Sequence, residues 1–218
     1  MCALDFEAVG PLSAHVLPYV MSPPLAIAER VHASGAEFIT AVALACEIGG
    51  RVASSLASGT KMPKDEPPYY QDSPRHTYST ALFGGVAGAG KLLGLDEEKM
   101  ANAFGIAGAS CPVPATVHFQ HIAGPAIMVK FNAWSGWVCR LATAATLLAE
   151  RGFTGDPAIL DGKWGFWNIV GSPYFKVERL LDGLGDKWHV GQMGFKAYPC
   201  CRLNHTGIDA IKRILRAH

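Results

Sequence analysis

The chain is predicted to be mainly α-helical, with a large buried core and a change to mixed structure near residue 190. Two observations carry this. Half of the 218 residues are hydrophobic and only 17% are charged, a composition that supports a sizeable core and excludes disorder. In addition, the apolar residues of the long segments recur every three or four positions, as on a helix with one buried face. The net charge of +1 leaves no electrostatic footprint for nucleic acid or an anionic membrane surface.

Taken in order, the first helix opens at Pro23-Pro24, because proline is tolerated in a first turn. Ser34 and Glu37 form a capping box ahead of Phe38, Val42, Ala45, Ile48 and Val52, which share a face. Residues 58–76 are a proline-rich loop that ends at His76.

The next stretch, GGVAGAGKLLGL, nearly spells a phosphate-cradling loop from Gly85. That loop needs a hydroxyl after the lysine to ligate magnesium, and Leu92 stands there. The preceding STALF also lacks strand character. A helix over Ser79–Leu93 fits better. Leu82, Val86, Ala89 and Leu93 form its apolar stripe, Lys91 points away, and Gly94 closes it. Each glycine inside weakens such a helix by about 1 kcal/mol, yet lets a neighbouring helix approach closely.

Asp96 caps a further helix through Ala109, with Glu97 and Glu98 favourably placed in its first turn. Residues 110–125 read as irregular, and an apolar helix runs from about Ala133 to just before Gly152. The window from Phe131 to Ala149 approaches a membrane span in length, but a charge such as Arg140 at mid-span is rare in lipid, so it reads as a core helix. The N-terminus shows no signal peptide. Beyond Gly152 the chain is turn-rich. Ser172-Pro173 begins a short helix to about Asp182, WHVGQMGFKAYP reads as extended pieces, and a last helix spans His205 to Arg216 with Ile208, Ile211 and Leu215 on one face.

The six cysteines form no C-x-x-C, which fits a reducing, cytoplasmic compartment. His118 and His121 form H-x-x-H beside Cys111, but the remaining pair, Cys200-Cys201, is adjacent rather than spaced to chelate. No metal is expected.

Asp5, His15, His76, Lys130 and His205 fall in loops or at helix edges beside Pro- or Gly-rich turns. Such positions on a rigid scaffold are where catalytic groups concentrate. The segment KAYPCCRLNHTGIDA resembles the K-x-[YF]-P-x-C/A…H…DA signature of the MmgE/PrpD family. ALDFEAV, SAHVLPYVMSPPLAIAE, SGAEFITAVALACEIGGRV, RHTYSTALFGGVAGAGKLLGLDEEKMANAFGIAGAS and LLAERGFTGDPAILDGKWGF resemble further family motifs, in the family's order.

The resemblance implies a large helical-bundle domain over residues 1–190, lacking the family's first helices, and the start of a mixed α/β lid domain over 191–218. It implies a lyase, a hydro-lyase or decarboxylase, that moves a proton at carbon in a small di- or tricarboxylate. An isomerase or epimerase of the same family, or a non-catalytic remnant serving in association, stays open. The family's site positions fall on Asp5, His15, His76, Lys130 and His205. Lys130 and His205 would hold carboxylates, His76 or His15 would transfer the proton, and Asp5 would orient a histidine. No cofactor is implied, and the partner is a second copy in a homodimer. Glu7, Ala8 and Val9 depart from the family's D-F-D-D-[ST], as do Val16, Thr77 and Ala133 from its usual proline, proline and histidine, so the substrate stays open.

Overall fold

The computed structural model describes residues 8–9, 17–56, 77–111, 135–170, 172, 175–200 and 202–217. Within them the chain is mainly helical. Strand β1 (Ala8–Val9) precedes α1 (Leu17–Val20), α2 (Ser22–Val31) and the long α3 (Gly35–Ser55). Then come α4 (Thr77–Leu92), α5 (Glu97–Ala109) and α6 (Ser135–Glu150). Two short helices follow, α7 (Phe166–Ile169) and α8 (Val177–Leu181), then a 3-10 turn at His189–Gln192, strand β2 (Gly194–Phe195) and α9 (His205–Ala217). The strands pair antiparallel, Ala8 opposite Phe195 and Val9 opposite Gly194.

Local chemistry sets the helix ends. Ser34 Oγ accepts from the Glu37 amide at 3.3 Å while the Glu37 carboxylate takes the Ser34 amide at 2.7 Å, completing the capping box. Asp96 accepts from the Lys99 amide at 2.8 Å and starts α5. Gly94 ends α4 at φ +63, with the Leu95 amide donating back to the Gly90 carbonyl. Only a residue free to adopt the left-handed region closes a helix this way at no cost.

The GGVAGAGK stretch is therefore helical, and α4 is the hub of the bundle. It packs against α1, α2, α3, α5 and α6. Residues 79–90 are buried on every side, which is why an apolar stripe alone describes them poorly, whereas Lys91 is exposed. The glycines bring α3 and α4 into backbone contact. A Cβ on Gly84 would collide with the Ala45 carbonyl oxygen, and one on Gly88 would lie 2.7 Å from that of Ala41.

Around this hub, Leu82, Val86, Ala103, Ile106, Val138 and Ala142 join α4, α5 and α6. Phe83 stands edge-on to Phe166 at 4.7 Å and ties α4 to α7. Helix α3 is long and apolar enough to cross a membrane by length and composition, but half of its most apolar window is buried inside the protein.

Two expectations need correction. The helix expected from Ser172-Pro173 begins at Val177. Phe175 bridges to Leu56, and the Lys176 amide donates to the Ser55 carbonyl at 2.8 Å, so these two residues are held against the end of α3. In WHVGQMGFKAYP, residues 189–192 form a 3-10 turn rather than an extended piece. The cause is a buried carboxylate that gathers successive amides, described next.

Candidate functional site

His205 opens α9 and is half-buried. Its ring stands edge-on to Tyr198, with centroids 5.2 Å apart at 84°. The Tyr198 hydroxyl donates to Asp209 Oδ1 at 2.5 Å, and Lys212 Nζ lies 5.0 Å from the Tyr198 ring centroid. Asp209 and Lys212 follow His205 at spacings of four and seven, so one face of α9 presents all three towards the tyrosine. This fixes the imidazole, yet among the described residues its buried Nε2 has no hydrogen-bond partner. A buried polar atom left unsatisfied costs about 1–3 kcal/mol, so native structures rarely keep one without a use.

Lys196 directly follows β2 and is 4% exposed. A buried ammonium is uncommon, because desolvation disfavours its charge. The β1–β2 pairing sets Phe195, one residue before Lys196, opposite Ala8, three residues after Asp5 in the chain. Asp5, His15, His76 and Lys130 themselves lie outside the described residues, as do His118 and His121. Of the five expected site residues, His205 is the one the structure describes. A mainly apolar groove of about 270 Å³ elsewhere is lined by Ser110, Trp137, Arg140, Leu141 and Ala144, none of them an expected site residue.

A second polar centre was not anticipated from the sequence. Glu47 and Arg51, one turn apart on α3, are 3% and 0% exposed. Arg51 Nε donates to Glu47 Oε1 at 2.6 Å. The rest of the guanidinium donates to the carbonyls of Leu180, Asp182 and Lys187 at 3.0, 2.9 and 2.8 Å. Glu47 Oε2 accepts the amides of His189 and Val190 at 2.7 and 3.0 Å, and Oε1 meets His189 Nδ1 at 2.8 Å. Burial acts to raise the Glu47 pKa, but the hydrogen bonds from His189, Arg51 and the two amides outweigh it and hold the carboxyl below its ordinary value. The readable signal was a Glu and an Arg four residues apart inside an otherwise apolar helix. Apart from the His189 ring, their partners off α3 are backbone groups, which no residue pattern announces.

The thiols of Cys46 and Cys111 are pushed up to about 12, chiefly by burial. They are core residues rather than nucleophiles.

Comparison with known proteins bears on this arrangement. The family model described as the MmgE/PrpD N-terminal domain matches residues 3–178. Two curated proteins of Aspergillus terreus, both cis-aconitate decarboxylases and one from strain NIH 2624 / FGSC A1156, are each 29% identical to this chain. The alignments cover 98% and 96% of the chain and 42% of each relative, so the chain spans less than half the length of the curated relatives it matches.

Proposed function

The chain belongs to the MmgE/PrpD family, and we propose that it contributes the helical part of a lyase acting on a small di- or tricarboxylate, with decarboxylation of a cis-aconitate-like acid as the reaction. The observation that carries this reading is the buried Nε2 of His205, which has no hydrogen-bond partner among the described residues. A protonated imidazole with an open donor inside a protein recognises a carboxylate oxygen through a charge-assisted hydrogen bond, which is short and strong. Lys196, at the end of β2, is a buried basic residue nine positions before His205 in the chain.

In the proposed reaction a carboxylate leaves as CO2. The electron pair of the breaking C–C bond passes through the adjacent double bond to carbon, which takes a proton from a protonated histidine. Cations around the remaining carboxylates stabilise the charge that builds during this step. We assign carboxylate binding to His205 and Lys130, proton transfer to His76 or His15, and orientation of a histidine to Asp5. All five would converge on one pocket, within a helical domain over residues 1–190 and the opening of a second domain over 191–218. A cytoplasmic homodimer working without metal or organic cofactor completes the proposal.

The test is incubation of the protein with cis-aconitate and with citrate-like acids in D2O, followed by proton NMR. Decarboxylation with deuterium delivered to carbon is expected, and epimerisation or hydration would appear as different products. Loss of a charge-assisted hydrogen bond is worth roughly 1.5–3 kcal/mol, so His205→Ala should reduce kcat/KM by about 10- to 100-fold. Turnover undiminished by His205→Ala would overturn the assignment.

A further inference from the structure

We infer that Glu47 and Arg51 are positioning residues for this site, a clamp that sets the backbone path leading into β2, Lys196 and His205. The inference rests on the proposed function for what is positioned, and on the described geometry for how.

The β1–β2 ladder has two residues in each strand. So short a pairing has no stability of its own, and its register must come from whatever anchors its flanks. On the β2 side the anchor is the buried ion pair. Arg51 grips the carbonyls of Leu180, Asp182 and Lys187, and Glu47 grips the amides of His189 and Val190. Five residues after His189 the chain enters β2, and two residues later it reaches Lys196. Between them, Val190 and Met193 pack on the cluster of Tyr19, Val20, Ala45, Cys46 and Ala81, so the held segment is seated on the helical core.

The chemistry of the clamp argues for position rather than bulk stability. A buried ion pair is often no more stabilising than apolar residues of the same volume. Here nearly every bond it makes off its own helix ends on a main-chain atom, the His189 ring excepted. It therefore specifies where the backbone of 180–190 runs, independently of the side chains in that loop. The Asp182–Lys187 pair on the same loop is exposed, and such a pair contributes little.

The experiment combines amide hydrogen exchange with steady-state kinetics on Glu47→Ala, Glu47→Gln and Arg51→Lys. In Glu47→Ala and Arg51→Lys, the amides of residues 189–196 should exchange at least tenfold faster than in the wild type, a clearly larger factor than for those of α4 and α6. Glu47→Gln should restore only the part of the protection that rests on the two amides, since its carbonyl oxygen still accepts them while its amide nitrogen faces the Arg51 Nε–H donor. The kinetic counterpart is a fall of tenfold or more in kcat/KM for Arg51→Lys, carried mainly by kcat and smaller in Glu47→Gln. Exchange that quickens equally throughout α3, α4 and α6 would make the pair a core element and overturn the inference, as would local loosening with unchanged kcat/KM. An inactive wild-type protein with the same local loosening would instead strike the proposed function, so the two failures are separable.

Discussion

Adding one methyl group at Gly84 probes the packing that makes this fold. The new Cβ would collide with the Ala45 carbonyl oxygen and lie 2.9 Å from Val20 Cγ1 and 3.0 Å from the Gly49 amide nitrogen. Two of these three atoms belong to the backbone of α3, so no rotamer change relieves the clash and the helices must separate. Overpacking of this kind costs about 1–3 kcal/mol, and a backbone-to-backbone clash belongs at the upper end. Replacing a mid-helix glycine by alanine returns about 1 kcal/mol of helix propensity. The net expectation for Gly84→Ala is a loss of about 2 kcal/mol, which in a domain of this size lowers Tm by roughly 4–8 °C. Gly136 provides the control, because it is an exposed glycine in α6 and a Cβ added there would meet nothing within 4 Å. Gly136→Ala should hold or raise Tm. Thermal and urea unfolding followed by far-ultraviolet circular dichroism reads both variants. A Gly84→Ala protein as stable as Gly136→Ala would refute the close approach of α3 and α4.

The remaining predictions concern titrating groups. Because the folded Glu47 carboxyl sits below its ordinary value, the unfolded chain binds the extra proton in acid. The stability it contributes is thus present above about pH 4.5 and is lost as pH falls through the folded value. Urea midpoints between about pH 5 and pH 3 should fall more steeply for the wild type than for Glu47→Gln, and parallel slopes would contradict this. With thiols at about 12, Cys46 and Cys111 hold about one part in 10⁴ of thiolate at pH 8. Native protein treated with iodoacetamide should leave both unmodified by peptide mass spectrometry, and labelling at the unfolded rate would refute their burial.

Much of the helical scaffold was legible because its signals are local. Ser34 with Glu37, Asp96 and Gly94 are caps whose partners lie within five residues, so the ends of α3, α4 and α5 follow from short patterns. The hub position of α4 was legible only in part. Its glycines announced a close neighbour, but a helix buried on every face has no amphipathic contrast to reveal which neighbours. The start of α8 was misplaced because a long-range bond from Lys176 to Ser55 overrides the local proline signal. The site divides the same way. His205 was nominated by its place in a recognisable segment, and its role stays part of the proposal. The burial of Lys196 and the grip of Glu47 and Arg51 on the 180–190 backbone are products of tertiary packing.

The central claim is that His205 Nε2 is an open donor for a substrate carboxylate, and nitrogen NMR of histidine-labelled protein tests it most directly. With cis-aconitate added stepwise to the wild-type protein, the His205 Nε2 resonance, assigned by its loss in His205→Ala, should shift and saturate along with substrate binding. A His205 resonance that stays fixed while the protein binds and turns over the acid would contradict the account.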